Sequence, residues 1–211
     1  MRNFAVASTV RGVRLFVAVF PPDDVRLDLR RRLIAASDGG GRASNVFDAD
    51  SRPFAALGGD RPLPSGLPRR RRGGVRLTAI DKWHVTLAFL GEVPADRLPD
   101  VERALDAVTV PKDVELRLRG GGQFGQGRSS VLWANVVGDL GPLHAEVHEK
   151  LDAAGLPHDD REFTPHLTVA YTQDAAVRRA LSGYSGPSWT LHEMALVRSD
   201  PNEGYTQLRT W

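Results

Sequence analysis

The sequence predicts an α+β fold of two pseudo-symmetric αβ lobes, with antiparallel sheets facing a central cleft. Three observations lead there. Strand and helix patterns interleave along the chain, the two halves repeat one plan, and each half sets a polar motif into an apolar strand. The two copies are "HVTLA" at His84–Ala88 and "HLTVA" at His166–Ala170.

The first strand pattern is "VRLFVAVF", Val13–Phe20, which leaves residues 1–12 as an extension expected to be disordered. Translation starting at Val13 would account for that extension, and mass spectrometry of the native N-terminus checks it. "PPDDVRLDLRRRLIAA" opens on prolines and acids and spaces Val25, Leu29 and Leu33 four apart, the pattern of an amphipathic helix with a negative N-terminus. Residues 37–74 are rich in glycine, proline and arginine, lack any sustained period, and read as a flexible insertion. The run Arg69–Arg72 within it reads as solvated charge rather than an RNA contact. Val75–Ala79 and Trp83–Leu90 follow as strands, and "PADRLPDVERALDAV" as a helix with Leu98, Val101, Leu105 and Val108 on one side.

The second half reuses this vocabulary. "VELRLRG" from Val114 and "SSVLWANVV" ending at Val137 are strand patterns, and "LHAEVHEKLDAAG" from Leu143 is an amphipathic helix closed by Gly155. Next come a strand over His166–Tyr171, a short helix near "DAAVRRALSG", and closing strands in "SWTLHEMALVRS" and "YTQLRTW". Residues 13–211 therefore read as one bilobal domain carrying the insertion.

With 211 residues and 41% hydrophobic content the chain is long enough to bury a core. The net charge of +2 and the pI near 9.3 permit an anionic partner without demanding one. Zero cysteines exclude a disulfide, a thiolate zinc site and a cysteine nucleophile, and fit a reducing compartment, so the cytoplasm is expected. No apolar run is long enough to span a bilayer, and arginines interrupt the place where an export signal would need apolar sequence, so no membrane role is expected.

The motif pair carries the chemistry. A single His-apolar-Thr-apolar match arises by accident at about 1% per histidine, so two copies mark roughly one chain in a thousand. In a strand, a period of two puts His84 and Thr86 on one face and turns Val85, Leu87 and Phe89 toward the core; His166 and Thr168 oppose Leu167 and Val169 in the same way. Two imidazoles on opposite walls suit a displacement in which one takes a proton and the other gives one. Hydroxyls donate to nonbridging phosphate oxygens, and phosphoryl displacement needs its entering and leaving oxygens in line. Neither motif contains a carboxylate, so no metal site and no cofactor are expected, and a strained cyclic phosphodiester is the favoured target.

These residues resemble the paired HxTx motifs of the two-histidine (2H) phosphoesterases, in particular the RNA 2',3'-cyclic phosphodiesterases of the LigT-like group. "VRLFVAVFPP", "FLGEV", "VLWANV" and "FTPHLTVA" are similar in order and spacing, and most of the chain outside the tail and insertion is covered. The resemblance implies a bilobal 2H fold and opening of a terminal 2',3'-cyclic phosphate on RNA to a 2'-phosphomonoester. It implies His84 as proton donor, His166 as proton acceptor, Thr86 and Thr168 as phosphate-binding residues, and RNA or oligonucleotide 3' ends as partner; a monomer is expected. Relatives often carry a basic residue where this chain has Tyr171, and Arg161, Arg128 or Lys82 are candidates to replace it. A non-catalytic RNA-end binding module, a 2'-5' ligase and a small cyclic-nucleotide phosphodiesterase remain as alternatives.

Phe124 and Arg128, in the glycine-rich "GGGQFGQGR", join Arg161 and Tyr171 as candidate substrate contacts at the cleft rim. His144 and His148 lie four apart and read as a solvated helix face rather than a metal pair, while His158 and His192 have no partner pattern. Trp83 and Trp133 read as core residues ahead of base-stacking platforms.

Overall fold

The computed structural model describes residues 12–38 and 76–211; most of the expected N-terminal extension and insertion, including Arg69–Arg72, lies outside the described residues. In chain order the elements are β1 (Gly12–Val19), α1 (Asp23–Asp38), β2 (Val85–Pro94), α2 (Leu98–Asp106), β3 (Glu115–Phe124), β4 (Val131–Val137), α3 (Gly141–Ala153), β5 (His166–Ala170), α4 (Ala175–Ser182), β6 (Ser185–Thr190), β7 (Ala195–Asp200) and β8 (Gly204–Thr210).

Helix ends follow local chemistry. Asp23 and Asp24 occupy the first turn of α1 behind two prolines, and Val25, Leu29 and Leu33 are fully buried. Each such burial contributes roughly 1.5–3 kcal/mol. Asp174 caps α4 by accepting hydrogen bonds from the backbone N–H groups of Ala176 and Val177 at 2.8 and 3.0 Å. Gly155, at φ 59°, ends α3: its N–H meets the Asp152 carbonyl at 2.9 Å and the Leu156 N–H meets the Leu151 carbonyl at 3.0 Å.

All strand pairings are antiparallel, in the order β6-β3-β4-β5-β2-β1-β7-β8. This is one continuous sheet, but its centre is thin, because β2 and β5 pair only at Val85↔Leu167. The seam divides the sheet into half-sheets β6-β3-β4-β5 and β2-β1-β7-β8, each holding one motif copy. One face of the sheet packs on the helices and forms the main core, from Leu15, Val17 and Val85 to Leu132, Leu167 and Leu196. The other face is open and carries the motif histidines.

Chain halves and half-sheets do not coincide. The C-terminal β7 and β8 lie beside β1, which sits in the first half-sheet. Helix α1 follows β1 yet packs on α4 and β6 across the seam, whereas α3 returns to pack on α2 and β2. The expected run "SWTLHEMALVRS" is therefore two strands on opposite sides of the sheet, separated at Leu191–Met194. Residues 76–79, part of another expected strand, form no strand; Thr78 ties them to the sheet, its N–H donating to the Val169 carbonyl at 2.8 Å and its hydroxyl to the same carbonyl at 3.0 Å. Helix α1 also runs two residues into the segment expected to be insertion, with the Ser37 hydroxyl donating to the Leu33 carbonyl at 2.8 Å.

Candidate active site

The seam sets the site. Val85 and Leu167 are paired and buried, so their sequence neighbours on the open face are His84 and Thr86 on β2 and its approach, and His166 and Thr168 on β5. Extending that antiparallel register by one residue each way places His84 opposite Thr168 and Thr86 opposite His166. The two histidines thus occupy diagonal corners of a quartet, about 7–8 Å apart for a diagonal cross-strand pair. A group held between them meets one imidazole on each side.

Both imidazoles are oriented by the same device. Nδ1 of His84 lies 2.7 Å from the Lys82 carbonyl, and Nδ1 of His166 lies 2.7 Å from the Thr164 carbonyl. A carbonyl only accepts, so each Nδ1 carries its proton and each Nε2 is left for chemistry. Aromatic walls hold the rings: His84 sits against Phe16 at 4.8 Å, Tyr205 at 5.5 Å and Phe20 at 5.7 Å, and His166 against Phe124 at 5.0 Å and Trp133 at 6.0 Å. Burial among these rings pushes His84 down to about 4; its hydrogen bond to the Lys82 carbonyl opposes the shift and the charge of His166 adds to it.

A β-bulge in each motif strand sets what else faces the cleft. Opposite β1, Thr86 pairs with Ala18 and Ala88 with Val17, so Leu87 is the extra residue; opposite β4, Thr168 pairs with Trp133 and Ala170 with Leu132, so Val169 is the extra residue. The bulge falls at the fourth position of both motifs and reverses the alternation beyond it. Ala88 and Ala170 consequently turn inward, while Phe89 and Tyr171 turn to the open face with 39% and 71% exposure. The expected burial of Phe89 is corrected, because strict alternation does not survive a bulge.

Each bulge is pinned from outside. His148 Nε2 lies 3.1 Å from the Leu87 carbonyl, and Asp159 clasps Phe89 by accepting its N–H at 2.9 Å and returning its own N–H to the Phe89 carbonyl at 3.0 Å. On the other side the Thr78 hydroxyl donates to the Val169 carbonyl at 3.0 Å and accepts from Trp83 Nε1 at 2.7 Å. Trp83 is fully buried and precedes His84, so Thr78 links the approach of the first motif to the bulge of the second. Thr78→Val strands the buried Trp83 donor and is expected to lower stability by about 1–3 kcal/mol, whereas Thr78→Ser retains it. Urea midpoints of the two variants check this.

The cleft beside His166 is a cavity of about 550 Å³ lined in part by Thr86, Phe89, Phe124, Phe163, Arg161 and Tyr171. Of the expected contacts, Phe124 stacks on Trp133 at 4.9 Å and stands edge-on to His166. Arg161 lines the cavity but is paired to Asp159 at 2.7 Å. Arg128 lies in the short 3-10 turn Gly127–Ser129, and its side chain is outside the described residues. Lys82 lies over the Tyr205 ring at 5.3 Å. Trp133, expected in the core, instead lies on the open face, where Gly122 makes room for it: a Cβ there would meet the indole at 2.6 Å.

His144 and His148 are not a solvated face. His144 stacks on Phe163 at 4.0 Å and meets His148 at a tilt, also at 4.0 Å, and His148 meets His158 edge-on at 4.4 Å, so the three rings form a row that starts at the cleft wall, where His144 lines the cavity. Among the described residues no group of three His, Cys, Asp or Glu is placed to hold a metal ion. Phe89 and Phe163 were missed as cleft residues; for Phe89 the available signal was that both motif copies continue, after the shared alanine, into an aromatic residue, Phe89 and Tyr171, whereas nothing in the sequence marked Phe163.

The family model described as 2'-5' RNA ligase superfamily matches residues 70–203. The chain belongs to that superfamily. Within it, an RNA 2',3'-cyclic phosphodiesterase of Thermus thermophilus is 31% identical over 199 residues, covering 89% of this chain and 82% of its own. A protein of the same name from Escherichia coli is 30% identical over 142 residues, 64% of this chain and 78% of its own. The solved structure of TT0787 from Thermus thermophilus superposes with a TM-score of 0.63 at 25% identity, over 94% of this chain and 96% of that one. Escherichia coli LigT in complex with ATP superposes with a TM-score of 0.56 at 21% identity, over 95% and 97%, and shows the shared fold alone. This superfamily of 2H phosphoesterases is enzymatic, and the chain is a phosphodiesterase within it. No helix among its described residues is long and apolar enough to cross a membrane.

Proposed function

We propose that the chain is a metal-independent, monomeric RNA 2',3'-cyclic phosphodiesterase of the cytoplasm, acting through His84 and His166. The observation that carries the reading is the diagonal quartet, with two Nε2 atoms freed by matching Nδ1 hydrogen bonds and a threonine facing each histidine. The names of the Thermus thermophilus and Escherichia coli relatives support the substrate class.

In this reading Thr86 and Thr168 donate to the nonbridging oxygens of the cyclic phosphate. His166 Nε2 takes a proton from water as its oxygen bonds to phosphorus. The P–O3' bond breaks on the opposite side, and His84 Nε2 returns a proton to O3', leaving a 2'-phosphomonoester. The donor set at the quartet is imidazole and hydroxyl, so nothing in the step calls for a Lewis acid. Run in the same direction with a 5'-hydroxyl in place of water, the same geometry joins two RNA ends in a 2'-5' linkage: His166 takes the hydroxyl proton, O5' bonds to phosphorus, and O3' leaves with a proton from His84.

Hydrolysis of an oligonucleotide ending in a 2',3'-cyclic phosphate, followed in excess EDTA, is the test. The expected result is an unchanged rate and a 2'-monoester. A 3'-monoester would reverse the direction of attack, loss of rate in EDTA would require a metal, and tight binding without turnover would favour an RNA-end binding module.

A further inference from the structure

The two half-sheets present unlike floors to the cleft. Below His84 the open face is apolar: Phe16, Ala18, Ala195 and Val197 form a small buried cluster with Phe20 against it. Beside His166 the face carries Trp133 and Phe124 on one side and turns polar on the other. Asn135 is the direct cross-strand partner of His166 on β4. One strand further, alternation with buried Leu116 and Leu118 turns Arg117 and Arg119 of β3 to this same side. Arg119 and Asn135, with Ser185 beside Arg119 on β6, line a cavity of about 560 Å³ whose lining includes no carboxylate.

The cations of this region are available. Neither Arg117 nor Arg119 takes part in an ion pair among the described residues, whereas Arg14, Arg161 and Arg198 each hold a carboxylate. A guanidinium beside an amide and a hydroxyl is a donor-rich set matched to phosphate oxygens, and its fork can bind two of them at once. Strands are spaced about 4.8 Å apart, so β4 and β3 lie about 5 and 10 Å from the catalytic strand β5, within reach of the nucleotides that precede a chain end. Glu115, exposed on the same face of β3, marks where the favourable surface stops.

We propose that the Arg119–Asn135 cavity is a phosphate subsite for the RNA strand leading into the reacting terminus, so that the enzyme prefers oligonucleotide ends over cyclic mononucleotides. The inference rests on the reading of the quartet given above. Phosphate contacts hold register without reading bases, so the preference is for chain length and not for sequence.

The test compares a 2',3'-cyclic mononucleotide with a dinucleotide and a pentanucleotide carrying the same cyclic end, in wild type, Arg119→Ala and Arg119→Lys. Wild type is expected to gain in kcat/KM with length, mainly through KM. Arg119→Ala should lose about tenfold on the pentanucleotide and leave the mononucleotide unchanged. Its salt slope on the pentanucleotide should fall by about 1, with Arg119→Lys keeping that slope. Indifference of wild type to length, or an equal loss on the mononucleotide, overturns the subsite. Affinity for a fluorescent pentanucleotide ending in a 2'-phosphate is measured in parallel. An Arg119-dependent affinity without turnover would keep the subsite and sink the quartet's role, and turnover without that dependence would do the reverse.

Discussion

Replacing His84 or His166 by asparagine is expected to lower kcat/KM on a 2',3'-cyclic-phosphate-ended oligonucleotide by about 10³-fold, within the range that general acid–base groups supply. Asparagine is the informative choice, because its side-chain amide can still donate to the Lys82 or Thr164 carbonyl that holds each Nδ1. Orientation of the neighbourhood is kept and the titrating Nε2 is removed. In the proposed mechanism the two groups act in one displacement, so the double variant should be little worse than the poorer single one. Single-turnover rates check this, and multiplicative losses would mean that the histidines serve separate steps.

The second large effect is in the titration of His84. The ring is pushed down to about 4, first by burial among Phe16, Phe20 and Tyr205, so in the empty site at neutral pH its Nε2 holds a lone pair and not a proton. The donor role proposed for His84 needs that proton, and an incoming phosphate anion would supply the reason to take it up. Saturation with inorganic phosphate is therefore expected to raise the His84 titration by about 1–3 pH units, as an opposite charge at close range does. Imidazole ¹H–¹³C spectra across pH 3–9, assigned with His84→Asn, measure it; an unmoved titration would give His84 the accepting role and His166 the donating one.

The same shift has a consequence for stability, with a definite sign. A histidine whose folded value lies below its unfolded value of about 6.5 leaves the unfolded chain holding more protons between those limits. Stability is then undiminished above about 6.5 and is lost as the pH falls from there toward about 4. Between pH 7.5 and 5 wild type should lose about 2 kcal/mol from this group, and His84→Asn should not. Urea unfolding at the two pH values compares them.

Much of the candidate site was legible because its residue pattern repeats. His84, Thr86, His166 and Thr168 stand out through a doubled pattern in apolar strands, and period two was enough to put them on one face. Helix α1 was equally readable, since Val25, Leu29 and Leu33 lie on one stripe behind acids and prolines. Phe89 was not, because a bulge is an inserted residue in a pairing, and pairing partners are set by the fold. Thr78 was hidden for a related reason: its partners Trp83 and Val169 are close in space, and Val169 is remote along the chain. The division of "SWTLHEMALVRS" between opposite ends of the sheet is likewise a fact of topology, invisible to hydrophobic period.

The interleaving of chain and half-sheets also governs how the molecule comes apart. A sheet joined across its middle by one residue pair would, with each half built from its own stretch of sequence, be expected to melt in two steps. Here residues 12–38 place a strand in one half-sheet and a helix beneath the other, and the C-terminal strands close the half that the N-terminus begins. The strands of the half-sheet β6-β3-β4-β5 are contiguous in the chain, Glu115–Thr190, but that half takes helix α1 from the N-terminus for its core and lends α3 to the other half. Two weakly paired halves are thereby bound into a single cooperative unit, and the distance between the two histidines is kept by the whole of the fold.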